Sequence, residues 1–279
     1  MNYRKKRYLI NYISLFLSFL AALLGLFWLV FILFNVLYNG FSYLAPNIFT
    51  EEYAPILMGG GGLKHALIGQ LIITIIAVLI GVPIGILGGT YIAEYGRNNK
   101  IANFTSTISD IMISVPSIVI GTFVYALLVR PFGSFNGLSG GIALAIIMIP
   151  VVLRTTEDMM RLVPWQLREA AFALGAPYYK VIMNVVYKSA ITGIFTGILL
   201  AIARVAGETA PLLFTSFNNA YTTYKLTEPM PSLTVTIYQY ATSPYESWHK
   251  IAWAGSLIIT LFILLITIIG RFIIKWRYK

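Results

Sequence analysis

Two charged residues, Arg204 and Glu208, interrupt the long apolar run AITGIFTGILLAIARVAGETAPLLF. Their spacing places both on one face of a helix. A charge inside a bilayer costs about 2.5 to 3.5 kcal/mol on insertion scales, so it faces a pathway or a partner rather than lipid. Because the planar guanidinium stays charged and binds tetrahedral oxyanions through two hydrogen bonds, Arg204 suits an anion path. We predict that Glu208 holds the guanidinium when no anion is present, with Thr209 beside them. The alternative is an internal ion pair that only neutralises both groups.

A second candidate site is the segment PWQLREAAFALGAP, Pro164 to Pro177, which lies between two apolar runs. Proline in the first turn and glycine after the last turn predict about 11 residues of helix. One face of this helix carries small or apolar side chains, Arg168 lies on the opposite face, and Glu169 lies at the edge. The face that a partner could approach closely consists of Leu167, Ala170, Ala171 and Leu174. The segment is therefore either a docking helix or an amphipathic connector at the lipid interface.

Metal chemistry is not expected. The chain has no cysteine and two histidines, His65 and His249, which we place in separate exterior loops without a second ligand. No cofactor is predicted for this chain.

The composition indicates that these residues are positioned by the helices of a membrane protein. Hydrophobic residues make up 58% of the chain and charged residues 11%, and the mean hydropathy is +0.79. These values indicate an all-α integral membrane protein rather than a soluble domain. Six runs are candidate transmembrane helices: Leu9 to Tyr38, Ala66 to Tyr91, Ile108 to Val129, Leu138 to Leu153, Ala190 to Phe214 and Ile251 to Ile274.

The distribution of charge orients these helices. If the N-terminus is cytoplasmic, the inside segments contain 15 of the 20 lysines and arginines, whereas the outside segments contain four. This asymmetry predicts that both termini are cytoplasmic in a multi-pass cell-membrane protein. The net charge of +10 then reflects orientation in the membrane and gives no reason to expect nucleic-acid binding.

Two spans have faces of small residues. The second span contains Gly81, Gly85, Gly88 and Gly89, and the fifth contains Gly193, Gly197 and Ala201. Such faces allow close helix packing in lipid. Between the fourth and fifth spans, residues 154–189 form the largest cytoplasmic loop. That loop begins with Arg154, Glu157, Asp158 and Arg161, whose spacing predicts ion pairs along a solvated helix face.

The pattern Glu169-Ala170-Ala171, three residues, then Gly175, on a cytoplasmic loop, resembles the EAA loop of binding-protein-dependent ABC importer permeases. PSIVIGTFVY from Pro116, RTTEDMMRLVP from Arg154 and GETAPLLFT from Gly207 resemble the phosphate-specific (Pst) permeases, the PstA type more than the PstC type. Tyr187-Lys188 stands where many EAA loops have Leu-Pro.

The resemblance implies the type I importer (MetI-like) fold, with a five-helix core in a permease domain of residues 66–279. Residues 1–65 would supply an extra helix and an exterior loop. It also implies that Arg168, Glu169, Ala170, Ala171 and Gly175 couple to a cytoplasmic ATPase. The other implied partners are a PstC-like second permease and an exterior phosphate-binding protein. The chain itself lacks the GxxxxGK[ST] motif, so ATP and Mg would belong to the ATPase dimer.

These observations leave three functions open. The first is a phosphate permease, and the second is an ABC permease for another oxyanion such as sulfate or molybdate. The third is a secondary transporter or channel that uses Arg204 and Glu208 as an ion or proton element.

Overall fold

The computed structural model describes residues 3–55, 61–96 and 99–277. Within these ranges every regular element is helical, and the only extended pairing is an isolated bridge between Tyr53 and Gly61. The helices are α1 (Tyr3–Tyr43), α2 (Asn47–Thr50), α3 (Lys64–Thr90), α4 (Lys100–Ser114), α5 (Ser117–Val124), α6 (Arg130–Phe132), α7 (Gly137–Arg161), α8 (Trp165–Ala173), α9 (Tyr178–Val181), α10 (Tyr187–Ala206), α11 (Ala210–Thr215), α12 (Leu233–Ala241) and α13 (Glu246–Arg277). Short π-helical turns at Tyr91–Tyr95, Tyr125–Val129 and Ile182–Val186 follow α3, α5 and α9.

The predicted all-α membrane architecture is confirmed. Among the described residues, five helices are long and apolar enough to cross a membrane, and a bent helix pair provides a sixth candidate span. The predicted third span, Ile108 to Val129, is not one straight helix. Its chain turns by 105° between α4 and α5. The cause is Pro116, which forces Val115 into an extended conformation with φ −71° and ψ 131° and so ends α4.

The predicted fifth span, Ala190 to Phe214, is also interrupted. The helix α10 ends at Ala206, Gly207 is its C-cap, and α11 begins at Ala210 with proline in its first turn. The glycine and the proline that end one helix and start the next were both visible in the sequence. Arg204 therefore lies in the last turn of a helix and not in the middle of one.

The core of the chain is the close packing of α3 against α7. A methyl group on Gly85 would lie 2.7 Å from Cβ of Val152, and one on Gly89 would overlap the carbonyl oxygen of Leu153. On the other side of α7, a methyl group on Gly197 of α10 would lie 2.6 Å from Cβ of Thr155. Both predicted small-residue faces are thus helix contact surfaces, since only glycine lets the backbones approach this closely.

The loops predicted to lie outside contact one another at one end of the molecule. The amide of Gly137 donates to the carbonyl of Glu228, and the amide of Thr222 donates to the carboxylate of Glu52. The ring of Tyr53 packs on Trp248. Arg97 and Lys279, which were predicted to be cytoplasmic, are not among the residues that the structure describes.

Candidate functional site

Arg204 lies in the last turn of α10, and Glu208 lies in the break between α10 and α11. The Nε atom of Arg204 is 3.9 Å from Oε1 of Glu208, which is within ion-pair range but longer than a hydrogen bond. The arginine side chain is 44% exposed and the glutamate side chain 18% exposed. A loose pair at a half-exposed guanidinium is weak, so the donors of Arg204 remain available to another acceptor.

The break itself is held by side chains from two other helices. Gln70 of α3 is buried, and its Nε2 donates to the carbonyl of Ala206 at 3.1 Å. The Oε1 atom of the same residue accepts from the amide of Leu233, the first residue of α12, at 3.1 Å. One glutamine therefore satisfies a free carbonyl at the end of α10 and a free amide at the start of α12.

A second contact fixes the position of Glu208. The hydroxyl of Thr234 donates to the Glu208 carbonyl at 2.8 Å. The prediction from sequence missed both Gln70 and Thr234. A polar glutamine inside the apolar second span was the one signal that could have identified the first of them.

Thr209, the third residue predicted at the anion path, is half-buried and is the N-cap of α11, but its side chain makes no capping hydrogen bond. The next helix turn packs on α5, where a methyl group on Gly121 would lie 2.6 Å from Cα of Pro211. The motifs PSIVIGTFVY and GETAPLLFT, which are far apart in sequence, therefore lie in direct contact.

The predicted docking helix is α8, which is nine residues long rather than about 11. Pro164 precedes its first turn, and Gly175 follows its last with φ +78°, a conformation that favours glycine. Leu167 and Leu174 are 45% and 89% exposed, and Glu169 and Ala170 are also exposed. Ala171 is half-buried. Large apolar side chains facing outward beside small ones form a surface suited to a protein partner.

Arg168, which was predicted on the face opposite the small and apolar side chains, is buried. It is 5% exposed, and its Nη2 lies 2.6 Å from Oε1 of Glu94. Because Glu94 is distant from Arg168 in sequence, helix periodicity could not identify it as the partner of Arg168. The role of Arg168 in ATPase coupling stays a prediction, but as a buried group Arg168 could act only through its neighbours.

The charged face at the end of α7 also differs from the prediction. The ion pairs exist, with Glu157 at 2.8 Å from Arg161 and 3.3 Å from Arg154. However, the Glu157 side chain is only 2% exposed, because the glycine face of α3 packs over it. Arg154 and Arg161 remain 41% and 60% exposed. Glu157 is thus a buried ion-pair partner of the two arginines and does not lie on a solvated face.

Comparison with known proteins connects these features to a family. Residues 81–277 match the family model described as "Binding-protein-dependent transport system inner membrane component". The chain is 48% identical over 273 residues to the phosphate transport system permease protein PstA of Pasteurella multocida, covering 98% of this chain and 97% of that one. It is 49% identical to the PstA of Yersinia pestis, covering 94% and 89%.

Solved structures share the fold at lower identity. An inward-facing structure of the MetNI methionine ABC transporter has a TM-score of 0.60 at 19% identity, covering 77% of this chain and 93% of that one. An amino acid ABC transporter crystallised with histidines has a TM-score of 0.54 at 20% identity, covering 76% and 91%. The predicted MetI-like fold is confirmed.

Proposed function

The chain belongs to the family of binding-protein-dependent transport system inner membrane components, and on that premise we propose that it is the permease subunit of an ATP-driven importer of inorganic phosphate. The observation that supports phosphate as the substrate is the near full-length similarity of this chain to permeases named for phosphate transport. The same similarity favours phosphate over another oxyanion and an ABC importer over a secondary transporter or channel.

In this proposal the anion passes Arg204. The guanidinium is half exposed and only loosely paired, so an oxyanion that arrives at the helix break can replace Glu208 as its acceptor. Glu208 then neutralises the cation again after the anion has left. Thr209 offers a hydroxyl next to this position.

We further propose that this chain binds no cofactor and that ATP and Mg belong to a cytoplasmic ATPase dimer. The exposed face of α8 would dock on this ATPase, and the charge asymmetry would place both termini on the same side. A second, PstC-like permease would complete the path, and an exterior phosphate-binding protein would deliver the anion. Alternating access would follow from movement of α8 as the ATPase closes.

The test of the anion path is uptake by the assembled transporter. We expect Arg204→Gln to lower phosphate uptake at least about tenfold, because a charge-assisted hydrogen bond is worth more than about 1.4 kcal/mol. The amount of assembled complex should not change. Arg130→Gln is the matched control, since Arg130 is also exposed but lies in α6, in the last residues of the bent pair. Normal uptake in Arg204→Gln would refute the role of Arg204.

The test of the docking helix is co-purification with the ATPase. We expect Ala171→Asp to remove the ATPase, because a carboxylate would be buried in the interface without a partner. Glu169→Lys should leave transport uncoupled from ATP hydrolysis. Ala220→Asp, the same change in the exterior loop after α11, should retain the ATPase. Full retention and normal transport in both α8 variants would exclude α8 as the docking helix.

Substrate identity is tested separately by competition. Labelled phosphate uptake should be inhibited by unlabelled phosphate and not by equimolar sulfate or molybdate. Equal inhibition by sulfate would reassign the permease to another oxyanion without affecting the coupling argument.

A further inference from the structure

A buried ion pair joins α8 to the π-helical turn Tyr91–Tyr95, which continues α3. The side chains of Arg168 and Glu94 are 6% and 2% exposed. Besides the 2.6 Å contact, Nε of Arg168 donates to the second carboxylate oxygen of Glu94 at 3.4 Å. The pair is therefore bidentate, which fixes orientation as well as distance.

The same guanidinium also binds the end of α7. It donates to the carbonyl of Val163 at 2.6 Å and to the carbonyl of Met160 at 3.1 Å. The Met160 carbonyl lies in the last turn of α7 and also accepts from the amide of Val163, which follows the helix. A cation at this end interacts favourably with the helix dipole. Arg168 thus connects α7, α8 and the π-helical turn that continues α3.

Glu94 holds the C-terminal side of α8 as well. The hydroxyl of Tyr178 donates to the Glu94 carbonyl at 2.9 Å and to its carboxylate at 3.3 Å. The Tyr178 ring stacks on Phe172 of α8 and packs edge-on against Tyr95. Glu94 is therefore contacted from α8 itself and from the residue that begins α9.

A buried ion pair is a weak source of stability, because desolvation of the two charges offsets their attraction. A bidentate pair with a third hydrogen-bonding partner does, however, restrict two helices to one relative orientation. The helix α3 is also the element that carries Gln70, which lies 24 residues from Glu94 and holds the break beside Arg204. At about 1.5 Å per residue, α3 connects points roughly 35 Å apart.

We propose that Glu94 is a positioning residue that makes α3 move with α8, so that displacement of α8 by the ATPase reaches the helix break at Arg204. This inference rests on the proposed function, because it takes the ATPase as the source of the movement. In this arrangement α3 transmits the displacement as a rigid helix, since its glycine face is packed tightly on α7.

The first test separates coupling from assembly. Glu94→Gln keeps the shape of the side chain but removes its charge, and we expect the number of phosphate ions imported per ATP hydrolysed to fall at least tenfold. Tyr178→Phe should lower this ratio several-fold, since it removes only one of the two connections. Asp158→Asn is the matched control, because Asp158 is a 51% exposed carboxylate at the same end of the molecule, and its ratio should not change.

If Glu94→Gln fails to assemble, the double variant Glu94→Met with Arg168→Met removes both charges together and is measured in the same way. An unchanged ratio in whichever of the two variants assembles would overturn the proposal.

The second test does not depend on the substrate. The chain has no cysteine, so spin labels can be attached at Leu87→Cys on α3 and Gln166→Cys on α8, both of which are exposed. We expect the distance between the labels to be the same in nucleotide-free and nucleotide-trapped complexes. In Glu94→Gln it should change by several ångströms between these states.

These outcomes can be told apart from failure of the proposed function. If wild-type complexes import no phosphate but the label distance depends on Glu94 as expected, the substrate assignment is wrong and the inference stands. A label distance that changes equally in wild type and Glu94→Gln would refute the inference even if phosphate import is normal.

Discussion

At the scale of single residues, the buried polar side chains of this chain act on helix ends. Gln70 binds the last carbonyl of α10 and the first amide of α12. Arg168 binds the carbonyl of Met160 in the last turn of α7 and that of Val163 just after it. In a membrane protein an unpaired backbone group has no water to replace its partner. These side chains therefore satisfy backbone groups at helix ends, and each of these ends lies next to a proposed functional position.

Replacing Gln70 tests this role of buried polar side chains at the break between α10 and α11. Gln70→Leu keeps the volume but leaves the Ala206 carbonyl and the Leu233 amide unpaired, at about 1 to 3 kcal/mol for each buried group. We expect a lower thermal unfolding temperature of the purified complex and reduced phosphate uptake.

The matched control is Gln239→Leu, which removes a half-buried glutamine whose side chain bonds to no described residue other than Asn218. It should change both quantities much less. Equal effects of the two substitutions would mean that Gln70 has no special role at the break.

At the scale of secondary-structure elements, α3 and α7 pack too closely to shift relative to each other. Gly85 and Gly89 leave no space between the two backbones, and Thr155 meets Gly197 on the other side of α7. By contrast, α4 and α5 are joined through a 105° bend, and α10 and α11 through a three-residue break. Movement during transport is expected at these joints rather than between α3 and α7.

Gly89→Ala should separate α3 from α7. The added methyl group would overlap a helix carbonyl, which cannot rotate away, so we expect destabilisation of about 1 to 3 kcal/mol. Gly25→Ala in α1, where a methyl group meets nothing within 4 Å, is the control and should be neutral or slightly stabilising. Thermal unfolding in detergent measures both. Similar unfolding temperatures for the two variants would contradict the close packing.

At the scale of the whole molecule, α1 stands apart from the rest. No residue in its most apolar 18-residue window is buried, and it contacts α13 near its C-terminal end, where Gly40 lies against Leu257. The four other straight spans are 22% to 67% buried over their most apolar 18 residues. The five spans from α3 onward thus form the packed unit. The loops predicted to be exterior and those predicted to be cytoplasmic lie at its opposite ends.

The sidedness of these two ends can be measured directly, because the chain has no cysteine. Tyr224 and Tyr179 are 72% and 61% exposed at opposite ends. If the excess of basic residues is cytoplasmic, a membrane-impermeant maleimide should label Tyr224→Cys in intact cells and Tyr179→Cys only after permeabilisation. The reverse pattern would mean that the orientation predicted from charge is wrong.

The sequence by itself determined the membrane class, the helical fold and the family, because long apolar runs, charge asymmetry and short motifs are all local properties. It also identified which glycine faces pack, since a row of missing side chains has the same meaning in any fold. Arg204 and Glu208 were selected from the sequence because charges are rare in an apolar run, and Glu169 because it begins the Glu-Ala-Ala pattern of the docking segment.

Only the tertiary structure decided how these residues are held. The sequence did not predict that Arg168 is buried, because its partner Glu94 lies 74 residues earlier in the chain. Gln70 meets Ala206 across 136 residues. Helix periodicity relates residues a few positions apart, whereas such pairings depend on which helices become neighbours after packing.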